Sequence, residues 1–274
     1  MKIISIILLS IFSVLNFQTE NYYIIKLKGE IYNESLKKYL KQGDAIKADN
    51  KLKFTQKEAV ALVISDTRGR FTLKYPDRAE ESVGALTVFV KNALVANVHN
   101  QLSSRSVVTK SSVNQLYNYL GHDKFNIIGD ELIIKLSKKS YSISQGNDII
   151  ARYYLNNKEY DVELSTKNQT MVLSRSKLDL PADKEVYLEG VDIYKKNVTV
   201  GEENLITNID LRFIVKDELE MEFMTIIEKF NDGQTSKSRI RSLLVNYFSE
   251  FYGKTDDFYL NEYVTQLITE NTGE

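Results

Sequence analysis

Two histidines are the only imidazoles available to this chain of 274 residues for metal binding or acid–base catalysis. Neither His99 nor His122 belongs to a His-x-x-x-His or His-Glu-x-x-His motif, so neither has a partner at ligand spacing. Cysteine is absent, which removes thiolate ligands, thiol nucleophiles, disulfides and lipid attachment through cysteine. The sequence therefore predicts no metal site, no cofactor and no catalytic residue.

Two kinds of short pattern match fragments of known catalytic or phosphate-binding motifs. The serine–lysine spacing of penicillin-binding enzymes occurs at Ser35-x-x-Lys38 and at Ser174-x-x-Lys177, without the Ser-Asp-Asn and Lys-Thr-Gly motifs of that chemistry. Gly253-Lys254-Thr255 matches the end of a phosphate-binding loop, but Phe248 stands where such a loop needs its first glycine. We interpret these matches as chance patterns, and Gly253 as the end of a helix.

Adjacent carboxylates, which glycoside hydrolysis and other acid–base chemistry require, occur at Asp256-Asp257 and at Glu202-Glu203. On predicted turns such pairs more often face solvent than act as acid and base. A hydrolase with an unrecognised carboxylate or serine site is therefore kept as an alternative function.

Aromatic clusters are the strongest candidates for recognition, because the chain has 17 tyrosines and no tryptophan. Tyrosine combines an apolar ring with a polar hydroxyl group, which suits surfaces that contact partners. The competing interpretation is that alternate members of each cluster fill the core. The predicted partner-binding residues are Tyr247, Phe251, Tyr252, Phe258 and Tyr259.

The charge balance narrows the class of partner. With 36 basic and 37 acidic residues the formal net charge is −1, and no basic footprint for nucleic acid or an anionic membrane is visible. We therefore predict that the partner is an envelope protein or a surface polymer rather than nucleic acid. The sequence makes no prediction of oligomeric state.

The N terminus predicts export to the periplasm or cell surface of a bacterium. Lys2 precedes an apolar run, from Ile3 to Phe17, that is too short for an ordinary membrane span and leads into polar residues. Leu15-Asn16-Phe17 are not the small residues that signal peptidase prefers, so residues 1–20 are either a signal peptide or an anchor that contacts the membrane. A buried segment of a cytosolic domain is the remaining alternative.

A small, barrel-like β domain is predicted over residues 21–78. Short alternating or apolar runs are separated by turns that contain Gly43-Asp44 and Asp66-x-x-Gly69, where hairpins need positive φ. The predicted strands are Tyr22–Lys28, Gly29–Tyr32, one that follows the Gln42–Ile46 turn, Lys51–Phe54, Ala59–Ile64 and Arg70–Tyr75.

Within this segment the order of turn glycines and buried aliphatics resembles the β-rich segment of the FecR family of periplasmic signal-transducing proteins. The resemblance covers Gly29-x-Ile31, Leu40-x-x-Gly43-Asp44-x-Ile46, Leu52-x-Phe54, Ala59–Ile64 and Asp66-x-x-Gly69-x-Phe71-x-Leu73. It implies an envelope location and a non-catalytic β module. Only Met1 and Lys2 precede the apolar run, where the family's regulators carry a cytoplasmic anti-sigma region. This departure counts against sigma-factor regulation, and the resemblance keeps a FecR-like, signal-sensing regulator as an alternative function.

Residues 79–124 are predicted to form a helical connector and a Ser-rich linker. Val83, Leu86, Val90, Leu94 and Val98 recur at helical spacing, which favours a helix from Ala79 to Asn100. Residues 101–112 are rich in serine and basic residues, which indicates a linker. A short helix is predicted before Gly121.

Several short strands at nearly regular spacing predict an antiparallel β-sandwich, of the immunoglobulin-like type, over residues 125–216. The clearest hairpin joins Tyr153–Leu155 to Glu159-Tyr160 through Asn156-Asn157-Lys158. The predicted strands are Asp130–Leu136, Asp148–Leu155, Glu159–Leu164, Thr170–Leu173, Glu185–Leu188 and Ile206–Val215.

Residues 217–274 are predicted to form a helical tail. The clearest helix places Ile240, Leu244 and Phe248 on one face, begins near Ser236 or Ser238 and ends at Gly253. An earlier helix over Leu219–Phe230 competes with a strand, and Asp256 is expected to cap a last helix.

The sequence as a whole predicts a mainly β protein with helical additions, of the α+β class. We expect a non-enzymatic binding or scaffolding module of a bacterial cell envelope, with the surface of the helical tail as the contact region.

Overall fold

The computed structural model describes residues 20–65, 68–76, 87–96, 112–143, 146–166 and 168–271. The predicted signal or anchor, residues 1–20, lies outside these residues except for Glu20. The described residues group into two compact units, one within Met1–Val98 and the other within His99–Glu274. The predicted boundary at residue 216, between sandwich and tail, therefore falls inside the second unit.

The first unit consists of short strands in two sheets. One sheet has the strand order β4-β1-β6-β7-β9 and the other β3-β2-β5-β8. The elements are β1 (Asn21–Lys28), β2 (Ile31–Asn33), β3 (Lys38–Tyr39), β4 (Ala45–Lys47), β5 (Lys51–Phe54), β6 (Val60–Ser65), β7 (Gly69–Lys74), β8 (Thr87–Phe89), α1 (Val90–Ala93) and β9 (Leu94–Ala96).

One core holds both sheets of this unit together. Every sheet contributes residues that are nearly inaccessible to solvent, including Ile24 from β1, Ile31 from β2 and Phe54 from β5. Burial of such side chains stabilises a fold by about 1.5–3 kcal/mol each. Five of the strands predicted over residues 22–75 are confirmed as β1, β2, β5, β6 and β7. Strand β3 was not predicted, and β4 begins inside the predicted Gln42–Ile46 turn, directly after Gly43 and Asp44, where Gly43 has a φ of +84°.

The helix predicted from Ala79 to Asn100 is wrong over the part that the structure describes. Residues 87–96 form β8, the single helical turn α1, and β9. Leu52 of β5 pairs with Val88, and Leu73 of β7 pairs with Leu94, both antiparallel. The β-branched residues of the segment favour strands, and pairing with two existing sheets outweighs the helical spacing. The rest of this prediction lies outside the described residues.

The second unit combines two sheets with helices before and after them. Its elements are α2 (Leu116–Leu120), β10 (Lys124–Ile128), β11 (Glu131–Lys135), α3 (Lys138–Tyr141), β12 (Asn147–Leu155), β13 (Lys158–Glu163), β14 (Ser165–Thr166), β15 (Thr170–Ser174), β16 (Val186–Asn197), β17 (Glu203–Ile214), α4 (Lys216–Phe230), α5 (Lys237–Phe251) and α6 (Asp257–Asn271).

The two sheets of this unit share one hydrophobic core. The five-stranded sheet has the order β10-β17-β16-β12-β13, and the three-stranded sheet has the order β11-β15-β14. Phe125, Ile149 and Phe213 of the first sheet and Leu132 and Leu173 of the second belong to a single buried cluster. The mainly β, α+β class is therefore confirmed. One pair departs from the predicted antiparallel pattern, because β10 runs parallel to β17.

The predicted hairpin between β12 and β13 is confirmed and has a two-residue loop. Leu155 pairs with Lys158, and the intervening Asn156 and Asn157 have φ values of +53° and +61°. Two successive positive φ values produce a turn that matches the twist of an antiparallel ribbon, and asparagine tolerates them well.

Three helices form the tail, as predicted, and the strand alternative at Leu219–Phe223 is wrong. Ser236 caps α5 by accepting a hydrogen bond from the Arg239 backbone N–H, and Asp256 caps α6 by accepting one from Tyr259 at 2.9 Å. The predicted short helix is α2, which ends at Gly121 with a φ of +84°. Within the described ranges, no helix is long and apolar enough to span a membrane.

Candidate interaction groove

The second unit contains a groove of about 1370 Å³ that follows strand β11. Its walls come from five places in the sequence: the α2 region, the β10–β11 turn with β11, Ala182 between β15 and β16, the start of α4, and the α5–α6 link with the first turns of α6. The lining residues are 112–115, 118, 119, 128–135, 182, 215–217, 254–259 and 262. Its size exceeds that of most small-molecule sites.

Strand β11 is the edge strand of the three-stranded sheet, and its backbone presents hydrogen-bonding groups to the groove. Asp130 O accepts a hydrogen bond from Arg175 N, and Leu136 N donates one to Gln169 O, both at 2.9 Å. In an antiparallel ladder, alternate residues bond to the neighbouring strand, so the even-numbered residues of β11 face β15. Glu131, Ile133 and Lys135 therefore direct their backbone N–H and C=O groups away from the sheet.

A short backbone segment already pairs with one end of this edge. Val113 N donates to Lys135 O at 2.7 Å, and Ser137 N donates to Val113 O at 2.9 Å, in a parallel bridge. Along the rest of β11, no other described strand is paired with its outer side. The exposed edge includes Ile133, whose side chain is 58% exposed. An apolar side chain at the centre of an open edge strand is a feature that soluble proteins usually avoid.

Strand β10 is also an edge strand, but its outer side is covered. Asn126 N donates to Lys254 O at 2.8 Å, and Asn126 O accepts from the Thr255 hydroxyl group at 2.7 Å. The buried Asn126 side chain donates to the carbonyl groups of Tyr252 and Lys254 at 2.9 and 2.8 Å. The link between α5 and α6 therefore satisfies the edge of β10 with hydrogen bonds.

The groove is predominantly acidic. Six carboxylates and three lysines line it, which gives a formal charge of −3: Asp130, Glu131, Asp217, Asp256, Asp257 and Glu262 with Lys135, Lys216 and Lys254. Clustered charges of one sign in a cleft attract ligands of the opposite sign. The lining thus favours a cationic occupant over an anionic one.

Two groups in the wall are held by specific contacts. The hydroxyl group of Tyr119 donates to Asp256 Oδ2 at 2.6 Å, and burial together with the negative charge of Asp256 raises the pKa of Tyr119 far above its usual range. Lys254 Nζ donates to Asn118 O at 3.0 Å, and burial lowers the pKa of its ammonium group. These contacts connect α2 to the α5–α6 link on one side of the groove.

No model of a known protein family matches the chain, and no curated protein is significantly similar to it. The resemblance of residues 29–73 to the FecR family stays a prediction.

Two of the predicted partner-binding tyrosines lie in the interior. Tyr247 is 0% exposed and Tyr252 is 6% exposed, and both donate hydrogen bonds to the buried carboxyl group of Glu222 at 2.7–2.8 Å. Burial, and then the charge of Glu222, raises the pKa of both tyrosines well above the usual value. Phe251 packs on Tyr247 with ring centroids 4.9 Å apart and is half-buried. This cluster holds α4 and α5 together.

The remaining two predicted residues lie on the groove. Phe258 and Tyr259, in the first turn of α6, are part of its lining. Tyr259 is 37% exposed, and its ring stacks on Tyr263 at a centroid distance of 6.3 Å. The structure therefore separates the five predicted residues into an internal group and a groove group.

The short motifs have other contacts in the structure. Lys177 Nζ donates to Glu163 O at 3.0 Å, and Lys38 Nζ forms an ion pair with Asp44 at 2.6 Å, so both ammonium groups have partners other than the serine of the motif. His122 stacks on Tyr117. His99 lies outside the described residues. Within those residues, no group of three or more potential ligands is placed to hold a metal ion.

Sequence reasoning missed the groove because β11 looked like an ordinary strand. Its alternation, with Leu132 and Ile134 buried, correctly predicts one buried face. Ile133 was the available signal, since it places a large apolar side chain on the exposed face between Glu131 and Lys135. Whether an edge is open depends on strands and links distant in sequence.

Proposed function

We propose that the protein is a non-enzymatic binding module of a bacterial cell envelope and that it holds an extracytoplasmic partner in the groove along β11. The observation that carries the proposal is the open edge of β11, with Ile133 exposed at its centre inside an acidic groove. A backbone edge of this kind offers hydrogen bonds to another chain, and the exposed apolar side chain adds contact area.

The envelope location rests on the Lys2-led apolar run at the N terminus and on the absence of cysteine. It is tested by intact mass and fractionation of the native protein in a bacterial host. A mass that lacks the first 17–20 residues, approximately the segment expected of a signal peptide, supports export. Full length in the membrane fraction supports an anchor and the FecR-like alternative, and full length in the cytosol contradicts the proposal.

The groove is tested by placing a photo-crosslinking amino acid at Ile133 in cells. Leu205, on β17, is a matched control because it is also large, aliphatic and 57% exposed, but it does not line the groove. We expect a defined covalent adduct from position 133 and none from position 205. Equal labelling at both positions, or none at position 133, would contradict binding in the groove.

Binding is favoured over hydrolysis by the contacts of the groove residues. Asp256 accepts hydrogen bonds from Tyr119 and from the backbone of Tyr259, and Lys254 is bonded to a backbone carbonyl. These two groups are engaged in holding the walls of the groove.

A further inference from the structure

We propose that the occupant of the groove is an extended, basic peptide segment of a partner protein, which adds to β11 as a new strand. This inference rests on the proposed function and specifies the partner's chemistry. It starts from the outward-facing backbone groups of Glu131, Ile133 and Lys135, because these are the groups that a further strand would use.

The backbone groups of β11 that have no partner among the described residues define the length of the segment. Lys135 O is bonded to Val113 N, so the neighbouring chain at this end of β11 is already in place. The N–H and C=O groups of Glu131 and Ile133, and the N–H of Lys135, extend over about five residues of strand, or roughly 17 Å. An extended segment of five to seven residues would satisfy them.

The side chains of β11 define the sequence pattern of the segment. Glu131, Ile133 and Lys135 lie on the exposed face of the strand, and Leu132 and Ile134 lie on the buried face. Directly opposed side chains on paired strands interact, and opposite charges or two apolar groups are the favourable combinations. We therefore expect a basic residue opposite Glu131 and an apolar, β-branched residue opposite Ile133.

The charge of the groove selects a basic segment over an acidic one. Asp130 and Glu131 stand at the start of β11, and Asp217 and Glu262 contribute from α4 and α6. Asp130 lies near the buried guanidinium group of Arg175, at 3.3 Å, but its side chain is 75% exposed. Complementary charges of this type raise the association rate and discriminate against acidic competitors, most strongly at low salt.

The first experiment uses the purified protein and three peptides. The probe is acetyl-Thr-Lys-Thr-Val-Thr-Thr-Thr-amide, which has lysine for Glu131 and valine for Ile133 and no second lysine opposite Lys135. The acidic control has glutamate in place of the lysine, and the backbone control is the probe with alternate peptide nitrogens methylated. Fluorescence anisotropy should show that the probe binds at least about tenfold more tightly than either control at low ionic strength. The advantage over the acidic control should shrink in about 0.5 M salt. Equal affinity for the probe and either control would overturn the proposal.

Amide hydrogen exchange then locates the bound strand. The probe should slow exchange at Glu131, Ile133 and Lys135, and should leave Leu132 and Ile134 unchanged because these face β15. Protection of alternate amides is specific to strand addition. Protection that is present without peptide at low protein concentration would assign the edge to this chain itself, and protection that rises with protein concentration would assign it to a second copy. Either result overturns the proposal.

A proline substitution tests the edge without breaking the sheet. The N–H of residue 133 points away from β15, so Ile133→Pro removes a donor needed by the peptide and keeps the ladder to β15. Ile133→Val retains the N–H and is the matched control. We expect at least about tenfold weaker probe binding for Ile133→Pro and less than about threefold for Ile133→Val. Equal probe affinity of the two variants would overturn the proposal.

Failure of strand addition and failure of the proposed function give different results. If a photo-crosslinker at Tyr259, an exposed residue that also lines the groove, captures the partner in cells and Ile133→Pro leaves that capture unchanged, the groove binds a partner by another mode. If position 133 yields no adduct in cells, the proposed function itself fails. An Ile133→Pro variant that unfolds would be replaced by Glu131→Lys, which reverses one charge and leaves the backbone unaltered; unchanged selectivity for the basic probe would then overturn the proposal.

Discussion

Strands β10 and β11 are joined by a tight turn, yet they differ in how far other parts of the chain cover their outer edges with hydrogen bonds. The edge of β10 is covered by the α5–α6 link through four hydrogen bonds to Asn126 and its side chain. Among the residues that the structure describes, the edge of β11 is covered where Val113 reaches it, and its centre carries the exposed Ile133. The difference separates an edge that is bonded within the fold from one whose outer side is largely unpaired among the described residues.

The first edge also shows what holds the helical tail to the sheet. Tyr252 is the connecting residue, because its carbonyl group accepts from Asn126, its hydroxyl group donates to Glu222, and its ring lies 4.8 Å from the guanidinium carbon of Arg212. The tail is therefore attached by directional polar contacts as well as by apolar packing. Such contacts fix one arrangement of the helices, since a shift would leave buried groups without partners.

Removing the hydrogen bonds by which the α5–α6 link covers the edge of β10 should cause the largest loss of stability. Asn126→Leu eliminates two side-chain hydrogen bonds and leaves the carbonyl groups of Tyr252 and Lys254 with fewer partners. Lys254 O keeps its bond from the backbone N–H of residue 126, so the expected cost is that of two buried hydrogen bonds, a fall of about 2–3 kcal/mol in the free energy of unfolding. Urea denaturation measures it, and Asn246→Leu, at an exposed position of α5, is the control. A loss equal to that of the control would show that the cover contributes nothing.

High pH should destabilise the contact between α4 and α5, where Tyr247 and Tyr252 bond to Glu222. The folded-state pKa values of Tyr247 and Tyr252 lie above the ordinary value of 10.0. A raised pKa means that the unfolded chain loses its protons first, so the stability contributed below pH 10 is lost as the pH rises above it. The loss is about 1 kcal/mol per tyrosine between pH 10 and pH 11. The free energy of unfolding, measured by denaturation at pH 10 and pH 11, should fall less between these pH values in the Tyr247→Phe/Tyr252→Phe double variant than in the unsubstituted protein. An equal fall in both proteins would show that these two tyrosines do not cause the loss.

Thr255→Val removes one hydrogen bond from the cover and little else. The Thr255 hydroxyl group donates to Asn126 O at 2.7 Å, and valine has nearly the same shape. We expect a loss of about 1 kcal/mol in the free energy of unfolding, which is typical of one buried hydrogen bond. Thr265→Val, which removes a hydroxyl group from an exposed position of α6, is the matched comparison. If both substitutions have the same effect, the threonine bond does not strengthen the cover.

The contrast between the two edges also shows what the sequence can and cannot predict. Local patterns predicted β11 as a strand, the asparagine turn after β12 and the cap of α5, because each depends on residues close together in the chain. The long helix expected from Ala79 to Asn100 was wrong over residues 87–96, because the pairing of β8 with β5 and of β9 with β7 leaves only the single helical turn α1 between them. The burial of Tyr247 depends on Glu222, a partner 25 residues away that no local spacing indicates.

The residues of the groove were predicted from the sequence only in part. Phe258 and Tyr259 were predicted to contact a partner and do line the groove, but the reason for selecting them, aromatic clustering, applied equally to the buried Tyr247 and Tyr252. Exposure of an aromatic side chain is decided by which helix faces pack together. A sequence pattern defines one face of each helix, and it does not define what covers that face.

Substitution of an exposed side chain on the edge of β11 should change stability least, in contrast to substitutions at the covered edge of β10. The Ile133 side chain is mostly exposed, so Ile133→Thr removes little buried surface, keeps a β-branched residue in the strand and leaves the ladder to β15 intact. We expect the free energy of unfolding to change by less than about 0.5 kcal/mol. The Leu205→Thr variant should behave alike, because its side chain is equally exposed. A loss above about 2 kcal/mol for Ile133→Thr alone would mean that the edge is part of the folded core, and the distinction between the two edges would then disappear.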